Sequence, residues 1–218
     1  MKRLSKLFAL AVLVLLCFRA LPIGAEETPV APVVVTIKEK DTAASFRIGE
    51  FTFADKENKK IYGDAGMDFS LDFTLDTKNP KVACRIAIDG VSSSSNFKSG
   101  SDLYQSDLSA FGFSAAFLYQ SDRKQDLRFY GGAGVGFYFL TETGTATVGG
   151  AYKIIDGAGS GTGTNVMGGV EYTLRNGFAL GLEYAYRILN AGMNTTNTPS
   201  ASKDFSGQSL LLTFNFVF

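Results

Sequence analysis

The chain has 218 residues, with 21 Lys and Arg against 21 Asp and Glu, no tryptophan and no histidine. This balance provides no basic field for nucleic acid, and the missing histidine removes the side chain most suited to proton transfer near neutral pH. The length fits one domain.

In chain order, Lys2, Arg3 and Lys6 precede the apolar run LFALAVLVLLC (7–17) and the small residues of PIGA. This is the layout of a secretory signal over residues 1–25, cut after Ala25, and its apolar run is too short to span a bilayer comfortably. Its loss removes Lys2, Arg3, Lys6 and Arg19 and no acidic residue, so 21 against 21 becomes 17 against 21, a net charge of −4. Only Cys84 remains, so no internal disulfide forms. Residues 26–43 (EETPVAPVVVTIKEKDTA) are rich in Pro and Val and read as a periplasmic tail. Beyond the signal, no apolar run approaches the ~18 residues of a membrane helix.

Over residues 44–218 the pattern is alternation with a period of two, the mark of strands with unlike faces. Residues 45–53 (SFRIGEFTF) show it imperfectly, with Phe46 and Ile48 on one parity and Phe51 and Phe53 on the other; a bulge near Gly49 would restore a common face. Met67, Phe69, Leu71, Phe73 and Leu75 share a face, as do Val82, Cys84, Ile86 and Ile88, and then Phe111, Phe113, Phe117 and Tyr119. Leu127, Phe129, Val135, Phe137 and Phe139 follow, then Val166, Val170 and Tyr172, and next Phe178, Leu180, Leu182, Tyr184, Tyr186 and Ile188. The last run, LLLTFNFVF, places Leu210, Leu212, Phe214, Phe216 and Phe218 on one face. Each segment is near the ~9–11 residues that cross a bilayer as tilted strand. Links 54–65, 91–107, 141–163 and 189–207 are long and polar and read as mobile loops, whereas 76–81, 120–126 and 175–177 are short.

Volume decides which face is outside. An eight-stranded barrel has an interior just wide enough for side chains, and the Phe, Leu, Tyr and Ile of these strands would overfill it. The opposite face, with Gly112, Ser114, Ala116, Gly132, Gly134, Gly136, Gly169 and Gly181, fits. The expected fold is all-β: an eight-stranded antiparallel transmembrane β-barrel over residues 44–218, both termini on the short-turn, periplasmic side.

The terminal LTFNFVF resembles the sorting signal of outer-membrane barrels, and RFYGGAGVGFYF (128–139) and GGVEYTLRNGFALGLEYAYR (168–187) resemble the small eight-stranded family of opacity proteins, OmpX-like proteins and the OmpA membrane domain. The resemblance implies that the barrel insertion machinery reads the last strand through Leu210, Leu212, Phe214, Phe216 and Phe218. Enzymes on small outer-membrane barrels, such as the palmitoyltransferase and omptin-type protease families, place a histidine at the active site, and this chain has none. The expectation is therefore a non-enzymatic barrel that needs no metal or cofactor. Its job would be structural and interfacial, with loops presented to lipopolysaccharide, a host surface or an environmental ligand. The alternative is an OmpW-like narrow channel for small hydrophobic or polar molecules, with the Gly-rich segment 130–138 as the place for an opening.

Polar residues on the small-residue parity define the lumen. Pairing Leu174 with Phe178 makes 175–177 a three-residue turn with Gly177 left-handed, and sets Glu171 opposite Gly181 and Glu183 opposite Gly169. Pairing Leu75 with Val82 sets Asp72 opposite Arg85 and Asp76 opposite Lys81. Arg47, Arg85 and Arg187 against Asp68, Asp72, Glu171 and Glu183 then form an interior ion-pair network. Two readings follow: a network that fills and locks the lumen, or a gate whose partners exchange.

Overall fold

An extended chain alternates its side chains, and each of its N–H and C=O groups needs a partner. The computed structural model describes residues 42–77, 79–121, 126–174, 177–197 and 204–217. The expected signal at 1–25, the tail as far as residue 41, the terminal Phe218 and parts of four links lie outside the described residues. Eight strands pair antiparallel with their chain neighbours: β1 (Thr42–Phe53), β2 (Gly66–Asp76), β3 (Val82–Ser99), β4 (Asp102–Gln120), β5 (Leu127–Val148), β6 (Ala151–Thr173), β7 (Phe178–Thr196) and β8 (Gly207–Val217). β1 pairs with β8, from Ala43 opposite Val217 to Phe53 opposite Gly207, and the sheet closes into a barrel. β1 starts two residues inside the stretch expected as tail.

The outer face carries the large apolar residues. Phe113, Phe117 and Val135 are 52%, 69% and 62% exposed, and this belt runs over Phe111–Tyr119 of β4, Leu127–Phe139 of β5 and Phe178–Ile188 of β7. Residues of the other parity, from Ala83 and Ala87 to Ala116 and Ala179, are buried inside. Among the described residues no helix is long and apolar enough to cross a membrane, so crossing falls to the strands.

Three details differ from the sequence reading. The first is β1, which has no bulge: its pairing to β2 and β8 is continuous through Gly49. Phe46 therefore faces out while Phe51 and Phe53, each 2% exposed, face in. They stay inside because the lumen is apolar at that level, where Phe51, Phe53, Val91, Leu108, Tyr138, Leu140 and Leu189 form one cluster. The small-interior argument thus holds for the lower lumen and not for this upper one. Room for Tyr138 comes from Gly112 and Gly136, where a Cβ would run into its ring.

The second is the β2–β3 hairpin, which is shifted by two. Leu75 faces Cys84, Asp72 faces Ala87, Arg85 faces Thr74 and Asp76 faces Ala83. The cause is a wider turn, closed by Thr77 N–H donating to Val82 O at 3.1 Å and by the Thr77 hydroxyl donating to the same oxygen at 2.9 Å. Parity survives an even shift, so the lumen face is unchanged. The β6–β7 hairpin has the expected register, with Glu171 opposite Gly181, Glu183 opposite Gly169, and Gly177 at φ +74.

The third is that most of the long polar links are strand. β3 and β4 continue to a turn at Gly100–Ser101, and β5 and β6 to one at Gly149–Gly150, where φ values of +58 and +82 match the two-residue turn that follows strand twist. The segment 157–163 (GAGSGTG), read as a mobile loop, lies inside β6 and is paired on both sides. β3 to β7 have 18 to 23 residues against 11 or 12 for β1, β2 and β8, so a tall wall rises on one side. Link 54–65 contains a helix, α1 (Lys56–Tyr62), capped by the Asp55 carboxylate, which accepts from Glu57 N–H and Asn58 N–H at 3.0 Å each. Asn58, Ile61 and Tyr62 are buried, and α1 sits on the upper apolar cluster.

Phe113→Arg, in the middle of the belt, is expected to cost about 2–4 kcal/mol in denaturant-dependent refolding into lipid vesicles. Ser94→Arg, on the outer face of the tall wall, is expected to change stability by less than about 0.5 kcal/mol in the same measurement.

Candidate functional site

Alternation brings polar groups from five strands to one level of the lumen. β1 supplies Arg47, β2 Ser70 and Asp72, β3 Arg85, β5 Tyr130 and β7 Glu183. The Arg47 Nε donates to Asp72 Oδ2 at 2.8 Å, its Nη2 to Ser70 Oγ at 2.8 Å, and its Nη1 to Glu183 Oε1. Arg85 Nη1 donates to Glu183 Oε2 at 2.6 Å, and its Nε lies 3.5 Å from Asp72 Oδ1. The Tyr130 hydroxyl donates to Glu183 Oε2 at 2.7 Å, and the Arg85 guanidinium lies over the Tyr130 ring, 5.1 Å from its centroid. Two arginines and two carboxylates therefore meet in balance, each carboxylate held by charged donors, which is what burial at this depth requires. Glu183 is fully buried.

One level up the arrangement is looser. Arg187 Nη2 lies 3.7 Å from Asp68 Oδ2, and the guanidinium lies 5.0 Å from the Tyr138 ring centroid and 6.0 Å from that of Phe51. The Ser209 hydroxyl donates to Asp68, and the Ser114 hydroxyl donates to Asp89 at 2.5 Å. Between the two levels is a void of about 20 Å³ lined by Arg47, Arg85, Asn165, Glu183 and Arg187, large enough for about one water.

Glu171 is placed elsewhere. At the short-turn end Arg128 donates to it, as does Asn215 Nδ2, while Arg128 Nη1 donates to Gln120 Oε1 at 3.2 Å. Gln120 Nε2 in turn donates to Pro80 O at 3.0 Å and to Asp76 Oδ1 at 3.2 Å. The single network read from the sequence is thus divided: Arg47, Asp72, Arg85 and Glu183 pair at one level, Arg187 and Asp68 lie one level up, and Glu171 pairs with Arg128 at the short-turn end. Arg128, Tyr130, Asp89, Ser209 and Asn215 were absent from the sequence reading. Their signal was parity: Arg128 and Tyr130 share the parity of Gly132, Asp89 that of Arg85, and Ser209 and Asn215 stand opposite to the outward Leu210, Phe214 and Phe216.

The upper end is closed by apolar groups. The α1 residues Ile61 and Tyr62 and the β7–β8 connection residue Phe205 pack over Phe51, Phe53 and Tyr138. Asn58 Nδ2 donates to Asp204 O at 2.6 Å, and Ser93 Oγ to Tyr62 O at 2.6 Å, which pins the helix to both sides of the mouth. Burial and the nearby Glu142 carboxylate push the Tyr62 hydroxyl above its ordinary range, so it stays neutral. Among the described residues no group of three or more His, Cys, Asp or Glu side chains is arranged to hold a metal ion.

A closed ring of strands with an apolar exterior and a charge-paired interior defines a small transmembrane barrel. The family model for the outer membrane protein beta-barrel domain matches residues 43–218, and the chain belongs to that family. Its location is the outer membrane, in contact with membrane lipid. The chain is similar in fold to the outer membrane protein OprG of Pseudomonas aeruginosa, with a TM-score of 0.55 and 14% identity over 82% of this chain and 95% of that one. It is likewise similar to a major outer membrane protein of Thermus thermophilus, with a TM-score of 0.52 and 13% identity over 82% and 99% of the two chains. Neisserial surface protein A gives a TM-score of 0.46 and 16% identity over 83% and 98%. At these identities the likeness is one of fold. Comparison with curated protein sequences gives no match.

Removing one member of the central cluster leaves its partners buried and uncompensated. Glu183→Gln is expected to destabilise the barrel by about 3–5 kcal/mol. Glu171→Gln is expected to cost less, because the Arg128 side chain retains 13% exposure. Denaturant titration of both variants in vesicles checks the order.

Proposed function

We propose that this protein is a sealed outer-membrane barrel whose work is structural and interfacial, carrying a tall β wall that presents a binding surface outside the cell. The observation that supports it best is the filled lumen: Arg47, Asp72, Arg85 and Glu183 are paired across it, the void beside them has room for about one water, and α1 and Phe205 cover the upper end. The ion pairs support the locked reading over the gated one, since Arg47 and Arg85 both hold Asp72 and Glu183, while across the void Arg187 faces Asp68. Arg128 and Glu171 pair with each other at the short-turn end. Among the described residues the narrow-channel alternative has no opening in its favour. β5 is paired continuously to β4 and β6 through the Gly-rich segment 130–138.

The same proposal covers the ends of the chain. Residues 1–25 act as a removed signal, the following segment is periplasmic, and the insertion machinery reads Leu210, Leu212, Phe214, Phe216 and Phe218. The short turns then face the periplasm and the tall wall faces outward. Non-enzymatic work is consistent with a sequence that contains no histidine.

Liposome swelling and planar-bilayer recording with the purified barrel test the central claim. The expected result is no solute uptake and stable silence. Stepwise conductance that Glu183→Gln alters would favour the gated channel instead. Separately, Phe218→Ser is expected to lower the yield of folded barrel several-fold in cells, read as the heat-shifted band on gels.

A further inference from the structure

Among the described residues, all exposed large apolar side chains but three belong to the lipid belt. The three are Leu103, Tyr152 and Ile154, and they converge. Leu103 of β4 faces Thr147 of β5, which faces Tyr152 of β6, and in the next row Thr145 faces Ile154. All lie on the outer face of the tall wall. Tyr152 and Ile154 are 70% and 66% exposed, as open as the lipid-facing Phe117 at 69%. Yet Ile154 is six residues beyond Ser160, the β6 partner of the last belt residue Phe139, or about 20 Å of strand, and the outward residues between them, Ala158 and Asp156, carry no large apolar group. Lipid of the same membrane does not reach it, so the patch serves another partner.

The surroundings state what kind. One further row down, Asp107 faces Thr143, which faces Asp156, and all three are exposed. Among the described residues around this patch two outward carboxylates stand against one outward lysine, Lys98, opposite Leu103, with Lys153 exposed on the other face of β6. A sulfated or otherwise acidic ligand is repelled there. Three side chains fall well short of the ~800 Å² per partner of a stable protein interface. An apposed bilayer is a poor match too, since the patch lies on the flank and the apex is Gly100, Ser101, Gly149 and Gly150. The face is also rigid: Gly149 N–H donates to Asp102 Oδ1 at 3.0 Å and ties the two hairpin tips together. Preorganisation of this kind lowers the ordering cost of binding a small ligand.

We propose that this face binds a neutral oligosaccharide. The Tyr152 ring takes the C–H face of a sugar, Leu103 and Ile154 extend the apolar floor, and Asp107, Asp156 and Thr143 accept or donate hydrogen bonds to its hydroxyls. From Tyr152 to Asp156 is about 13 Å along the strand and from Asp107 to Asp156 about 10 Å across two strand spacings, the span of two or three sugar rings. The inference deepens the surface role proposed above and rests on it.

The test uses the full-length protein in lipid nanodiscs, with saturation-transfer NMR against cellohexaose, chitohexaose and maltohexaose, and against a sulfated heparin hexasaccharide. At least one neutral probe is expected to bind saturably and more tightly than the heparin fragment. Tyr152→Ala and Asp156→Asn are each expected to weaken it at least tenfold while the heat-shifted gel band is kept. Binding to none of the neutral probes, or tighter binding of the sulfated one, overturns the proposal. Neutral binding that survives both substitutions overturns this site and leaves the surface role standing. A conducting barrel that binds none of the probes overturns both.

Discussion

Hydrocarbon offers no hydrogen-bond partner, so each backbone amide at membrane depth must find one within the sheet, and only closure of the ring achieves this for all eight strands. That constraint orders the rest. Closure creates an inside and an outside, and strand alternation then assigns every side chain to one of them. The outside is free to be large and apolar, as Phe113 and Phe117 are. The inside has a fixed volume, and the sequence fills it by level. Charged pairs and small residues occupy the lower lumen and aromatic rings over glycines the upper one.

The central ion pairs are a consequence of that filling. Two arginines and two carboxylates at one level are costly to bury, and they are tolerated because each finds partners of opposite charge across the ring. Tyr130 contributes twice, donating to Glu183 and offering its ring face to Arg85. The level above is less complete, with Arg187 resting on two aromatic rings as much as on Asp68. The lumen thus grades from ionic to aromatic along its axis.

Much of this was legible in the residues, because a period of two is a direct image of a two-faced sheet. Runs such as Phe111–Tyr119 and Phe178–Ile188 show it without tertiary help. β1 was harder. Phe51 and Phe53 broke the parity, and whether a bulge turns them out or an apolar lumen takes them in depends on Tyr138, Leu140 and Phe205, which are remote in sequence. The tall wall was missed because Ser, Thr and Gly score as loop, while Thr141, Thr143, Thr145 and Thr147 alternate as regularly as any apolar strand. The helix was signalled by Asp55 before Lys56 and by Gly63 after Tyr62, a cap at each end of a short run. In the lumen, Arg47, Asp72, Arg85 and Glu183 were placed by parity alone. The separation of Glu171 was not legible, since it follows from the positions of Arg128 and Asn215 on other strands.

The unequal strands also shape how the ring is fastened. Its seam, where β1 meets β8, runs only from Ala43–Val217 to Phe53–Gly207, while β5 and β6 stay zipped from Leu127–Tyr172 to Val148–Ala151, about twice as far. First and last strands are therefore joined by a short clasp, and the middle of the chain by a long spine. The short pairings run on either side of that clasp, from β7–β8 through β1–β2 to β2–β3, so this whole side of the ring is the lightly fastened one and β5 with β6 the firm one.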